Sequence, residues 1–176
     1  MNADVVMMSI VGASPTNPME LFRAKHAAEE QLRRTGVPAT IVRATAFAEL
    51  WAEIMKKPIV FGKGDNPINF VSVADVANAV VRAVNDPTSR GRAIEVGGPD
   101  DPTFNEFAAR LQEARHRSAN TKHVPRGMLH VMSRISRRAA AGYAMDTIDM
   151  TFRGNASPEA EHVIAAPLSE SVFAPA

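Results

Sequence analysis

The sequence contains no cysteine, which excludes disulfides, thiol catalysis and cysteine-based zinc sites. Tryptophan and tyrosine occur once each, as Trp51 and Tyr143. An excess of charge is also missing. Lys and Arg number 20 against 19 Asp and Glu, a net charge of +1, with 22% of residues charged and 45% hydrophobic. That is the composition of an ordinary globular protein and argues against disorder or charge-driven binding. No apolar run approaches a membrane span, and the opening Met-Asn-Ala-Asp has no basic leader. The reading is a cytoplasmic protein with neither membrane nor nucleic acid as partner. Finally, no G-x-x-G-x-x-G or G-x-G-x-x-G occurs to cradle a pyrophosphate at a helix N-terminus. Gly62-Lys63-Gly64 runs into Asp65-Asn66-Pro67, and Gly97-Gly98 into Pro99-Asp100-Asp101-Pro102. Both read as structural glycines in turns or loops.

What is present is an alternation of helical and strand patterns, which favours an α/β sheet over a bundle. Val5 to Gly12 is a strand. Asn17, Pro18 and Glu20 predict a capped helix start, and Gly36 a stop, for a helix over about 18–35. Leu21, Phe22, Lys25, Ala28, Glu29 and Leu32 follow helical spacing, so Lys25 lies on or beside the apolar face. There its stem packs at the core edge with the ammonium in water, or it faces a ligand. Thr40 to Arg43 is a strand, followed by a helix over about 47–56. Ile59 to Phe61 and Ile68 to Val71 read as short strands around a turn at 62–67. Ser72 caps a helix over 73–85, Arg92 to Val96 is a strand, and Thr103-Phe104-Asn105-Glu106 is a capping box. Phe104, Phe107, Ala108, Leu111 and Ala114 give that last helix one apolar face.

Arg110, Arg115, Arg117, Lys122, Arg126, Arg134 and Arg137 form the strongest local charge bias and invite a phosphate or nucleic-acid reading. Met128, Leu129, Val131, Met132 and Ile135 share the region at helical spacing, without aromatics for stacking, so the basic residues read better as a solvated face. The five histidines show no metal-ligand spacing. Beyond Gly154 the chain is rich in Ala, Pro, Ser and Glu and reads as a loose tail.

The helix carrying Lys25 between two apolar strands, the run Asn69-Phe70-Val71-Ser72-Val73-Ala74-Asp75-Val76-Ala77, and Met145-Asp146-Thr147-Ile148-Asp149-Met150-Thr151-Phe152 together resemble the atypical short-chain dehydrogenase/reductases of the NmrA-like NAD(P)-binding family. The resemblance covers about residues 5–152. It implies the C-terminal half of a Rossmann-like, doubly wound parallel sheet over 1–98, a small, mostly helical substrate-side lobe over 99–153, and a tail over 154–176. Lys25 and Ser9 are the implied catalytic residues. Ser9, Gly12, Lys25, Ala44, Thr45, Ala46 and Phe47 would border NADP or NAD, while Phe70 and Asp75 organise the fold. Trp51, Met128 and Met132 are assigned as substrate lining, and the substrate is a small molecule.

Two departures stand against this. Leu21 occupies the place of the superfamily's tyrosine four residues before the lysine, and the glycine-rich half is absent, so the chain reads as a truncated form. Without that half the apolar strand Val5–Ile10 becomes an exposed edge, open to self-association or a partner chain. Binding of NAD(P) by this chain alone is expected to be weak or absent. Three readings follow: an NAD(P)H-dependent oxidoreductase in its full-length form, a catalytically silent dinucleotide-sensing regulator, or a remnant without independent activity.

Overall fold

The computed structural model describes residues 5–55, 59–116 and 121–173. In chain order the elements are β1 (Val5–Ile10), α1 (Glu20–Arg34), β2 (Ala39–Ala44), β3 (Ala46–Phe47), α2 (Ala48–Ile54), β4 (Ile59–Phe61), β5 (Phe70–Val71) and α3 (Val73–Asn85). Then follow β6 (Ala93–Gly97), α4 (Phe104–Ala114), β7 (Lys122–Val124), α5 (Arg126–Met132), α6 (Arg137–Met145), α7 (Phe152–Asn155) and β8 (Glu161–Ile164).

The apolar strands form one parallel sheet in the order β1-β2-β6-β8. Val5 stands beside Ala39, Ile41 beside Ala93, and Ile94 beside Glu161. Parallel strands are buried on both faces, which suits the nearly uninterrupted apolar runs of β1, β2 and β6. α3 covers one face, where Val76, Ala79 and Ala83 pack against Val42, Ala44, Ile94 and Val96. α1 covers the other, and its Glu29 bonds Ser9 of β1 and Arg43 of β2. This is the α/β, Rossmann-like, doubly wound arrangement that the sequence implies, and β1 is its edge strand.

Local signals were read correctly where the interaction is local. Ser72 Oγ accepts the N–H of Ala74 at the start of α3, and Thr103 and Glu106 form a reciprocal capping box on α4. α1 differs from expectation at its start. It begins at Glu20, and Asn17 instead ties the preceding turn, accepting from Met19 N–H (2.9 Å) and donating to the Gly12 carbonyl (3.3 Å).

The two short strands around the 62–67 turn do not pair with each other. β4 pairs with β7 and β5 with β3, each in parallel. The physical reason is Asp146, whose carboxylate accepts the N–H groups of Lys63 and Gly64 and is bound by Arg126. It fills the space beside Gly62, where any Cβ would collide with it.

A second core joins α2, β4, β5 and α4 through Ala52, Val60, Ile68, Phe70, Phe107 and Leu111. Phe70 stacks on Phe107 with ring centroids 4.2 Å apart, and Trp51 meets Phe104 edge-on at 5.0 Å. Phe173 is buried against Phe107 (5.5 Å). The segment expected to be loose therefore contributes β8 to the main sheet and an anchor to this core. No described helix is long and apolar enough to cross a membrane.

Candidate functional site

Beyond the carboxyl ends of β1 and β2 lies a cleft of about 360 Å³, the place where open α/β sheets take ligands. It opens because the chain leaves the sheet at Thr45. Thr45 N–H still donates to Val96 O (3.1 Å), but Ala46 N–H donates to Asn69 O (3.2 Å) and begins β3. Residues 44–47 therefore cross from the main sheet to the second core and form one wall, continued by Leu50 and Trp51. Met19, Leu21, Phe22 and Lys25 bring α1 to the opposite wall. Met145, Asp149, Met150, Thr151 and Asn155 close a third side.

Ser9, Lys25, Ala44, Thr45, Ala46, Phe47 and Trp51 thus meet in one cleft, although they come from four segments of sequence. Gly12 sits just behind it with φ of +80°, its carbonyl bound by Asn17 and the Phe22 ring at van der Waals distance from where a Cβ would stand. Met128 and Met132 are elsewhere. They lie on α5, 48% and 41% exposed, because the helix turns Leu129 and not the methionines inward. The apolar lining on that side comes instead from Met145 and Met150. Tyr143 is also remote, packed against His130 with ring centroids 5.2 Å apart. Leu21 lines the cleft and, at 53% exposed, presents only hydrocarbon where a proton donor would be needed.

The polar groups of the cleft differ in how they are committed. Lys25 Nζ donates to the Met8 carbonyl (2.9 Å), which leaves two of its three N–H donors. The Ser9 hydroxyl donates to Glu29 Oε1, so its proton points away from any ligand. Thr45 is 9% exposed, and its Oγ1 has no hydrogen-bond partner among the described residues. A buried hydroxyl left without a protein partner is free to bond a ligand or a water.

Behind the cleft floor, Glu29 and Glu95, both fully buried, share Arg43. Arg43 Nη2 meets Glu29 Oε2 at 2.7 Å and Nη1 meets Glu95 Oε1 at 2.8 Å. Burial pushes the Glu29 carboxyl up, but hydrogen bonds from Arg43 and Ser9 and the charges of Arg43 and Arg33 outweigh it and hold Glu29 below its ordinary 4.5. Arg43, bound by Glu29, is held more firmly protonated than a free guanidinium despite its own burial. Glu95 Oε2 also accepts the N–H of Ser157 (2.8 Å), fastening the segment that follows Asn155.

Sequence reasoning missed Asn17, Asn69, Asp149 and Asn155 as cleft residues. Asn69 is buried and bonds Gly98, Asp100 and Asp101, which shapes the loop after β6. Its only signal was a lone amide leading an apolar run. Asp149 accepts from Thr151 N–H (2.8 Å), while Asn155 donates to the carbonyls of Asp149 and Thr151. These bonds set the third wall but leave no signature that spacing could reveal.

No protein family's profile matches the chain. By sequence it is 36% identical over 115 residues to the NADH dehydrogenase [ubiquinone] 1 alpha subcomplex subunit 9, mitochondrial, of Arabidopsis thaliana, an alignment covering 58% of this chain and 28% of that protein. It is 26% identical to an NAD(P)H azoreductase of Xenophilus azovorans over 64% of this chain and 41% of the other. Among solved structures, an NADPH-dependent quinone oxidoreductase of Escherichia coli superposes with a TM-score of 0.68 at 19% identity, over 96% of this chain and 66% of that one. The chain shares the Rossmann-like fold of that oxidoreductase. It spans less than half the length of those two curated relatives.

Proposed function

We propose that the cleft is the nicotinamide-and-substrate end of an NAD(P)H-dependent oxidoreductase site, of which this chain supplies the part outside β1 and β2. The observation that carries the reading is the convergence of Lys25 and the unpaired Thr45 hydroxyl in one apolar-walled cleft. These residues fit a nicotinamide riboside, with an ammonium for ribose hydroxyls, a hydroxyl for a polar substituent, and Phe47, Trp51 and Met150 to exclude water. They do not fit a pyrophosphate, for which the sequence holds no glycine-rich turn. When bound, the reduced nicotinamide supplies hydride. Lys25 holds the sugar and, among the described residues of the cleft, is the side chain placed to give a proton to a reduced substrate. Ser9 positions Glu29 and the strand end, because its own proton is already donated.

A second reading, a dinucleotide sensor without turnover, is favoured by Leu21, which removes the usual proton donor, and by the same commitment of Ser9. Both readings share the half-site, so binding is tested first. Titration of the intact chain with reduced nicotinamide mononucleotide and with NADPH is expected to show weak, nearly equal affinities, both lost in Lys25→Ala. Tight NADPH binding far above that of the mononucleotide would sink the half-site, and binding of neither would sink the reading altogether. Lys25-dependent oxidation of NADPH with a quinone or azo acceptor then separates enzyme from sensor.

A further inference from the structure

The helical segment that begins at Arg126 turns its apolar side outward. α5 ends at Met132, but helical turns continue past it, with Ser133 N–H donating to Leu129 O (2.8 Å), Ile135 N–H to Met132 O (3.1 Å) and Ser136 N–H to Met132 O (2.9 Å). Over this run Met128, Val131, Met132 and Ile135 stand at i, i+3, i+4 and i+7, one face of a helix. Residues in that pattern ordinarily face a core. Here Met128 is 48% exposed, Val131 65%, Met132 41% and Ile135 87%. Of the apolar residues of α5 only Leu129 is buried, while His130 leans on the Tyr143 ring of α6. A solvated basic face behind a buried apolar one is therefore not what forms, because both faces are outside. Single exposed apolar side chains are ordinary, but four large ones in a row mark a surface that meets something.

Charge around the row is as uneven as its polarity. Residues 114–145 hold 7 Lys and Arg and no Asp or Glu, whereas the rest of the chain holds 13 Lys and Arg against 19 Asp and Glu. The net charge of +1 thus conceals a cationic lobe joined to an acidic remainder. Arg134, beside the row, and Lys122 on β7 are both exposed, and Arg126 is bound by Asp146.

We propose that this face docks on an anionic lipid surface, with the row sunk at the headgroup and acyl boundary and the basic side chains at the phosphates. Three occupants are told apart by their chemistry. A second copy, brought to the same row by a two-fold axis, would set one cationic lobe against another, which repels. A nucleic acid would meet the cations but leave the row in water, with no aromatic side chain in it to stack on a base. An anionic leaflet takes up both, as it does with interfacial helices that pair an apolar face with Lys and Arg. The acidic remainder, repelled by the same leaflet, is held facing away, so the charge split also sets the orientation.

The row is ~10 Å long, so it lies on a leaflet and does not cross one. It stands on the convex side of a single helix, which suits a fluid surface better than a protein whose own groove would have to match it. The expectation of no membrane partner gives way on this one observation, the outward row. The docking face is separate from the cleft and does not depend on what the cleft binds.

Flotation of the intact chain with phosphatidylcholine vesicles, with and without phosphatidylserine, tests this. The chain is expected to rise with the phosphatidylserine vesicles, to partition at least about tenfold less onto phosphatidylcholine alone, and to be released as salt is raised. Val131→Ser combined with Ile135→Ser removes the two most exposed members of the row and is expected to lower the partition about tenfold or more. Both side chains already stand in water, so circular dichroism and thermal unfolding should not change. Arg134→Glu is expected to weaken binding about tenfold, and only where phosphatidylserine is present. Because the chain has no cysteine, an environment-sensitive dye on Val131→Cys reports insertion. Its emission should shift to the blue on phosphatidylserine vesicles, and the same dye on Arg82→Cys, exposed on α3, should not respond. Absence of flotation overturns the proposal, as does flotation indifferent to phosphatidylserine or to the paired serine substitutions, or a dye at 131 that stays in water. Capture of an acidic amphipathic peptide in place of the vesicles overturns it in favour of a protein partner.

Discussion

The two faces of the four-stranded sheet are made from alternate residues of the same strands, yet their interiors are opposite in kind. On the α3 side, Val42, Ala44, Ile94 and Val96 meet only hydrocarbon from Val76, Ala79 and Ala83. On the α1 side, Ser9 and Arg43 bond Glu29, and Arg43 also bonds Glu95 and Ser157. One face contributes stability through buried area, in proportion to its methyl groups. The other gains little net stability from its ions, because desolvation offsets most of their attraction, but it tolerates no missing partner. What the polar face offers is register. Arg43 can satisfy Glu29 and Glu95 together only when α1, β2 and β6 are aligned, and Glu95 then pins Ser157 and the cleft wall before it.

The sharpest way to break the comparison is to remove the shared cation. Arg43→Met takes from two buried carboxylates the cation they share and is expected to cost about 3–5 kcal/mol in urea unfolding. Acid should reach the same face next. Since the folded Glu29 is held below its ordinary 4.5, its contribution is complete above that pH and fades as pH falls through its lowered value. Unfolding free energy measured against pH should therefore drop below about 4.5, and Glu29→Gln should flatten that part of the curve while lowering stability near neutrality. On the apolar face, Ile94→Val is expected to cost only about 0.5–1.5 kcal/mol with no new pH dependence. The smallest effect on stability is expected at the cleft. Thr45→Val removes an unpaired hydroxyl, so the fold should be unchanged or gain up to about 1 kcal/mol, while affinity for reduced nicotinamide mononucleotide falls.

The apolar face was legible in the sequence and the polar one was not. Val42 and Ile94 sit in apolar runs whose period gives the strand, and Ser72 and the Thr103–Glu106 pair announce their helices within four residues. Arg43 and Glu95 did carry a signal, each being a lone charge inside an otherwise apolar strand. Spacing alone could not pair them across 52 positions. The turn at 62–67 was legible, but not the carboxylate that shapes it, Asp146, 83 residues from Lys63. β8 escaped notice because Glu161-His162-Val163-Ile164 is half polar and belongs to the sheet only through its bonds to β6. Within the cleft, Lys25 and the 44–47 segment were placed by resemblance. The third wall was missed, and methionine was assigned to α5 when it comes from Met145 and Met150.

The account turns on whether the cleft beyond β1 and β2 holds the nicotinamide end of a dinucleotide. The most direct measurement is amide chemical-shift mapping of the intact chain during titration with reduced nicotinamide mononucleotide. The account predicts saturable shifts confined to Ser9, Thr45, Ala46, Phe47 and Asn155, absent in Lys25→Ala. No shift at any concentration, or shifts centred on the Gly62–Gly64 turn, would contradict it.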